Sequence, residues 1–194
     1  MFTKIDLANW ERREHYHYYT NQLPCSYSMT VSLDVTNLKR RVKEYGHRFY
    51  PVFVYCVSKA VNAQKEFRMG MDGEGNPGYW DQVHPNFTIF HEDDHTFSDV
   101  WTEYQEEFES FYSGMTAVME ECKDKKGVKA RAGQPANFYC ISCVPWVSFS
   151  GYQTYVAGSR IALFPIITYG KYQECDGKWT MPLTLTIAHA AADG

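Results

Sequence analysis

Hydrophobic and polar positions alternate over residues 26–34, where Tyr27, Met29, Val31 and Leu33 interleave with Ser26, Ser28, Thr30 and Ser32. A period of two predicts a half-buried β-strand. The spacing then becomes helical. Thr36 suits an N-cap, Leu38, Val42 and Tyr45 recur on one face, and Gly46 suits the exit. Pro51 suits the first turn of a second helix running to about Gln64. Segments 67–71 and 78–80 predict short strands around the turn Asp72-Gly73-Glu74-Gly75, and 86–91 predicts another. Thr96 followed by Asp99 resembles a capping box. Val100, Trp101, Tyr104, Phe108, Phe111, Tyr112, Met115 and Met119 then follow at helical spacing, with Glu103, Glu106, Glu107 and Glu109 as the solvated face. Residues 123–136 predict a charged loop. Three more strands are expected over 137–149, 161–172 and 179–187. Strands interleaved with a few helices predict an α+β fold with a largely antiparallel or mixed sheet.

Composition narrows the function classes. The 194 residues carry no repeat and no long linker, so one domain over 1–194 is expected. Net charge is −4, against a nucleic-acid partner, which would need a basic face. The densest basic stretch, Lys123, Lys125, Lys126, Lys129 and Arg131, is interrupted by Asp124 and reads as a solvated loop. Residues 1–10 lack the apolar centre of a signal peptide, and no apolar run reaches membrane-spanning length. Among six cysteines, Cys140 and Cys143 form a C-x-x-C, but on a strand residues three apart face opposite ways, so no metal site is expected. Unpaired cysteines fit a reducing cytoplasm. Aromatics reach 16%, enough for either a bulky core or apolar pockets and subunit interfaces.

The sharpest chemical signal closes the chain: Ile187-Ala188-His189-Ala190-Ala191-Ala192-Asp193-Gly194. A strand that delivers Leu183, Leu185, Ile187 and His189 to one face sets an imidazole among apolar groups, which disfavours its charged form. A neutral imidazole can accept a proton as a general base. A core histidine bonded to backbone is the alternative these residues alone leave open. Arg12-Arg13-Glu14-His15 lies beside Tyr16, Tyr18 and Tyr19, and Pro145-Trp146-Val147-Ser148-Phe149 follows Ser142.

Together these segments resemble the chloramphenicol acetyltransferase family. Further matching stretches are Arg48-Phe49-Tyr50-Pro51, Glu66-Phe67-Arg68-Met69, Phe87-Thr88-Ile89-Phe90-His91-Glu92, Pro165-Ile166-Ile167-Thr168 and Gly170-Lys171-Tyr172. The resemblance implies a CoA-dependent acyltransferase fold, a two-layer sandwich of a mixed, mostly antiparallel sheet with helices on one side. It implies acetyl transfer from acetyl-CoA, a co-substrate, to the 3-hydroxyl of chloramphenicol, with no metal. By the same resemblance His189 is the base, Ser142 stabilises the oxyanion, Thr168 holds a water, and Asp193 pairs with Arg12. The antibiotic pocket falls on Tyr18, Tyr19, Leu23, Phe97, Tyr152, Val156 and Ile166. CoA falls on Arg48, Ser98, Trp146, Lys171 and Tyr172. A homotrimer with active sites at subunit interfaces is also implied.

Three residues and the ending depart from the family's pattern. Ala188 stands where relatives carry a first histidine, Ala192 where cysteine is frequent, and Cys140 where a polar residue is common. Relatives continue past Asp-Gly into a closing helix, a segment expected to be lacking here. Two further readings share the motifs: another CoA-dependent O-acyltransferase of the same fold, such as a dihydrolipoamide acyltransferase, and a non-catalytic phenicol- or CoA-binding relative.

Overall fold

The computed structural model describes residues 1–154 and 161–193. Its elements in chain order are β1 (Phe2–Lys4), α1 (Arg13–His17), a π-helical turn (Tyr18–Gln22), β2 (Ser26–Asp34), α2 (Thr36–Glu44) and α3 (Phe49–Ala63). A 3-10 turn (Glu66–Arg68) leads to β3 (Met69–Met71), β4 (Pro77–Trp80), β5 (His84–His91) and β6 (Thr96–Trp101). α4 (Phe108–Cys122), β7 (Phe138–Val144), β8 (Ile166–Gly170), β9 (Gln173–Cys175) and β10 (Lys178–Ala188) complete it.

A small antiparallel sheet runs β1–β4–β3, and a seven-stranded sheet runs β2–β10–β8–β7–β5–β6 with β9 on β10. Strand β7 is parallel to β5 and to β8, and the other pairs are antiparallel, so the expected mixed, mostly antiparallel α+β architecture is found. Register explains its two faces. Val100, Phe87, Ile141, Ile167, Leu185 and Met29 form one row across six strands. Its centre packs in one core with Phe53, Val54 and Val57 of α3 and Phe111, Met115 and Val118 of α4. The next row, on the opposite face, is Ser142, Thr168, Thr184 and Thr30, all hydroxyls.

Strand β2 departs from the expected burial. A half-buried strand normally turns its apolar set to the core, yet Met29 and Val31 are 47% and 50% exposed. They sit at the sheet edge, beyond the central packing of α3 and α4. The hydroxyl set bonds inward instead: Ser28 to Thr186 at 2.7 Å and Thr30 to Thr184 at 2.6 Å.

The helix expected from Thr96 is also corrected. Asp94 Oδ1 accepts from both the amide and hydroxyl of Thr96, at 3.0 and 2.7 Å, which closes the β5–β6 hairpin. Residues 96–101 then pair with β5 throughout. The helix begins only at Phe108, where the Glu107 carboxylate caps the amides of Glu109 and Ser110. Thr36 opens α2 rather than capping it, and its hydroxyl accepts from the Trp179 amide at 2.8 Å. Segments 145–149 and 161–165, expected as strand, lie outside β7 and β8.

Candidate active site

Strand β10, which lies between β2 and β8, ends at Ala188, and a turn of small residues carries His189 past the end of the strand. Ala190 and Ala191 are fully buried, so the turn packs tightly. Arg12 clasps it from outside. Its Nη1 donates to the carbonyls of Ala190 and Ala191 at 3.3 and 2.9 Å, and its Nη2 to that of His189 at 3.3 Å. Nε and Nη2 also take both Asp193 carboxylate oxygens, at 3.1 and 2.6 Å. Burial works against the charge of Asp193, but the Arg12 hydrogen bond and charge outweigh it and hold the carboxyl below its usual range.

The His189 ring stacks on Tyr19 with centroids 3.8 Å apart and 10° between planes, and Tyr27 meets it edge-on at 5.6 Å. Its Nδ1 lies 3.2 Å from Asp193 Oδ1, yet the two are not aligned as a hydrogen bond, and Nδ1 is a buried atom with no such partner. Asp193 therefore spends its carboxylate on Arg12. Tyr18 packs edge-on against Tyr19 at 5.1 Å, and Leu23 is half exposed nearby in sequence. The period-two pattern of β2 accounts for Tyr27 by packing alone and gives no sign of its contact with His189.

The second group of residues lies elsewhere in the fold. A cleft of about 890 Å³ is lined by Arg48, Phe97, Ser142, Trp146, Lys171 and Tyr172, all anticipated. Arg48 precedes α3, its amide donating to the Tyr112 hydroxyl at 3.0 Å. Trp146 packs on Phe90 at 5.2 Å. The Val147 carbonyl, which accepts from the Lys171 amide at 2.8 Å, passes so close to Gly170 that a Cβ there would meet it at 2.6 Å. Glycine at 170 thus lets the Trp146 loop lie against Lys171 and Tyr172. His95 and Lys123 also line the cleft; the sequence gives no sign of the first and assigns the second to a solvated basic loop.

Some anticipated residues stand apart from it. Ser98 is fully buried, donating to the Lys125 carbonyl at 2.9 Å and, its single proton so used, accepting from His91 Nε2 at 2.8 Å. Alternation on β6 turns Phe97 out and Ser98 in, so Ser98 faces the core and not the cleft. Thr168 is buried between Ser142 and Thr184 in the hydroxyl row, and Ile166 is half-buried one row along. Tyr152 packs on Phe149 at 5.4 Å. Val156 lies outside the described residues.

The register separates the two groups. Ser142 is opposite Thr168, Thr168 is opposite Thr184, and His189 lies five residues beyond Thr184. Two strand spacings across and five residue rises along put Ser142 and His189 roughly 19 Å apart within one chain.

The family model described as chloramphenicol acetyltransferase matches residues 1–194. The chain belongs to the chloramphenicol acetyltransferase family. A chloramphenicol acetyltransferase of Clostridium perfringens is 38% identical over 193 residues, covering 100% of this chain and 88% of that relative. Chloramphenicol acetyltransferase 2 of Haemophilus influenzae is 37% identical, with 100% and 90% covered. Among solved structures, a chloramphenicol acetyltransferase superposes with a TM-score of 0.84 at 22% identity, over 100% of this chain and 93% of that one. The dihydrolipoamide acetyltransferase of Azotobacter vinelandii reaches 0.64 at 18% identity, over 93% and 79%. Membership of the family makes this chain an acyltransferase, and these two structures carry the same fold.

Proposed function

We propose that the chain transfers the acetyl group of acetyl-CoA to the 3-hydroxyl of chloramphenicol, with His189 as the base and Ser142 as the oxyanion donor. The observation that carries this is the held imidazole. Arg12 pins its loop and Tyr19 covers one ring face, while Nε2 has no hydrogen-bond partner among the described residues. Nε2 takes the hydroxyl proton as the oxygen attacks the thioester carbonyl. The Ser142 hydroxyl donates to the oxyanion, Thr168 beside it holds a water there, and collapse expels the CoA sulfur. The sulfur recovers the proton from the imidazolium, which returns His189 to its starting state. A positioned base contributes about 10²–10⁴ in rate and an oxyanion donor about 10²–10³.

Arg48 and Lys171 suit the anionic phosphates of CoA, and Trp146 and Tyr172 its apolar and aromatic parts. Tyr18, Tyr19, Leu23, Phe97, Tyr152 and Ile166 supply the apolar walls for the antibiotic.

Within one chain His189 is too far from Ser142 to share a substrate, so the working unit is a homotrimer with each site between two subunits. Two unlike apolar patches support it: Met29, Val31 and Leu23 on one side, Phe97, Trp146 and Val147 on the other, all 45% exposed or more. Unlike patches are what a closed heterologous ring requires. Six free cysteines suit a cytoplasmic setting, and no helix among the described residues is long and apolar enough to cross a membrane.

The test is release of CoA thiol from acetyl-CoA with chloramphenicol. Turnover that falls by several orders of magnitude in His189→Ala supports this reading. A folded parent that binds the drug without turnover refutes it.

A further inference from the structure

Lys39 occupies an unusual position behind the cleft. It projects from α2, and its Nζ sits 3.6 Å from the ring centroid of Tyr172 and 3.0 Å from that of Trp179. The two rings meet edge-to-face at 5.4 Å and 81°. Phe49 touches Tyr172 from a further side at 5.6 Å. Lys39 is in no ion pair among the described residues, although the chain is rich in exposed carboxylates. Burial pulls its pKa down, with Glu174 opposing.

Tyr172 lines the cleft and Lys39 does not, so the ammonium lies against a ring of the cleft wall rather than in the cleft itself. A staple between α2 and β10 would be redundant. The Trp179 amide already donates to Thr36 Oγ1 at 2.8 Å, and the Val35 amide to the Trp179 carbonyl at 2.8 Å. A direct phosphate ligand would point its ammonium into the cleft beside Arg48 and Lys171, not into a corner of two rings.

We propose that Lys39 is a positioning residue for the nucleotide end of the co-substrate, acting through Tyr172; this rests on the reading of the cleft as the CoA site. Its charge fixes the plane of the ring and draws π density to the rear, which leaves the cleft-facing side better disposed to stack an electron-rich purine. Lys39 touches neither the thioester nor the acceptor, so it acts on binding and not on the chemical step.

The experiment compares parent, Lys39→Met and Lys39→Arg by CoA titration calorimetry and by kinetics with two donors, acetyl-CoA and the nucleotide-free S-acetylpantetheine. Lys39→Met is expected to raise the CoA Kd and the acetyl-CoA KM about five- to tenfold. Its kcat and its kinetics with S-acetylpantetheine should stay at parental values. Arginine, which also lies on aromatic faces, should restore most of the loss. An unchanged Kd, or an equal loss with both donors, overturns the proposal. Should Lys39→Met fail to fold, Trp179→Leu releases the ammonium from one ring and is expected to raise the same Kd about threefold; no rise overturns it. A parent that does not bind CoA removes the underlying reading as well, whereas a parent and Lys39→Met that bind equally remove this proposal alone.

Discussion

Arg12 and Asp193 meet as a two-pronged pair, at 3.1 and 2.6 Å, across 181 residues of sequence. The same guanidinium holds three carbonyls of the turn that carries His189. The turn is thereby fastened by one side chain whose planar fork lysine cannot imitate. Arg12→Lys is expected to lower kcat about 10- to 100-fold through misplacement of the base, with KM for both substrates little changed. Steady-state kinetics check this.

The pair also sets a pH dependence. The folded-state pKa of Asp193 is held below that of a free aspartate by Arg12, so its contribution to stability is present above the unfolded pKa and is lost as pH falls through the lower folded pKa. The carboxylate is half exposed, and solvent screening makes that contribution small. Urea midpoints of the parent and Asp193→Asn should differ at pH 7 and converge below the usual carboxylate range. Parallel curves over the whole range would refute the assignment.

Ser142 lines the cleft and His189 does not. If each site takes Ser142 from one subunit and His189 from the next, two dead enzymes can complement. Ser142→Ala and His189→Ala, each nearly inactive alone, are expected to recover about a quarter of parental activity when denatured and refolded together in equal amounts, because that share of interfaces pairs two intact contributors. No recovery would place both residues of a site in one chain.

The exposed edge of β2 gives an independent check on assembly. Val31→Glu places a charge on an apolar patch that the single chain leaves half exposed. Sedimentation should then show smaller particles than the parent, with activity lost in proportion, while circular dichroism remains that of a folded chain.

The hydroxyl row can be tested by a double-mutant cycle. Thr184 is 1% exposed and bonded to Thr30 at 2.6 Å. Thr184→Val should destabilise by about 1–2 kcal/mol because it strands a polar partner, and Thr30→Val added to it should recover part of that loss. Denaturant titration of the four proteins reads the coupling.

Local pattern carried much of this protein. Period-two stretches located β2 and β10 and a 3.6-residue spacing located α2, because neighbouring residues alone decide those periods, while Pro51 marked the start of α3. The ordered motifs named the family and pointed to Arg12, Ser142, His189 and Asp193, since chemistry at each needs a particular residue type. Residues 96–101 misled because Asp94, two positions upstream, satisfied the Thr96 amide and hydroxyl and freed the segment to pair with β5. Pairing between distant strands is an energy that no local window contains. Alternation told that β2 has an apolar face but not that its middle, Met29 and Val31, stays half exposed while Tyr27 and Leu33 pack inward, because burial depends on which elements pack where. Likewise no spacing places Lys39 against Tyr172 and Trp179, 133 and 140 positions downstream, or separates His189 from Ser142. Those relations exist only once β2, β8 and β10 have been brought into one sheet, and long-range register, not residue type, sets them.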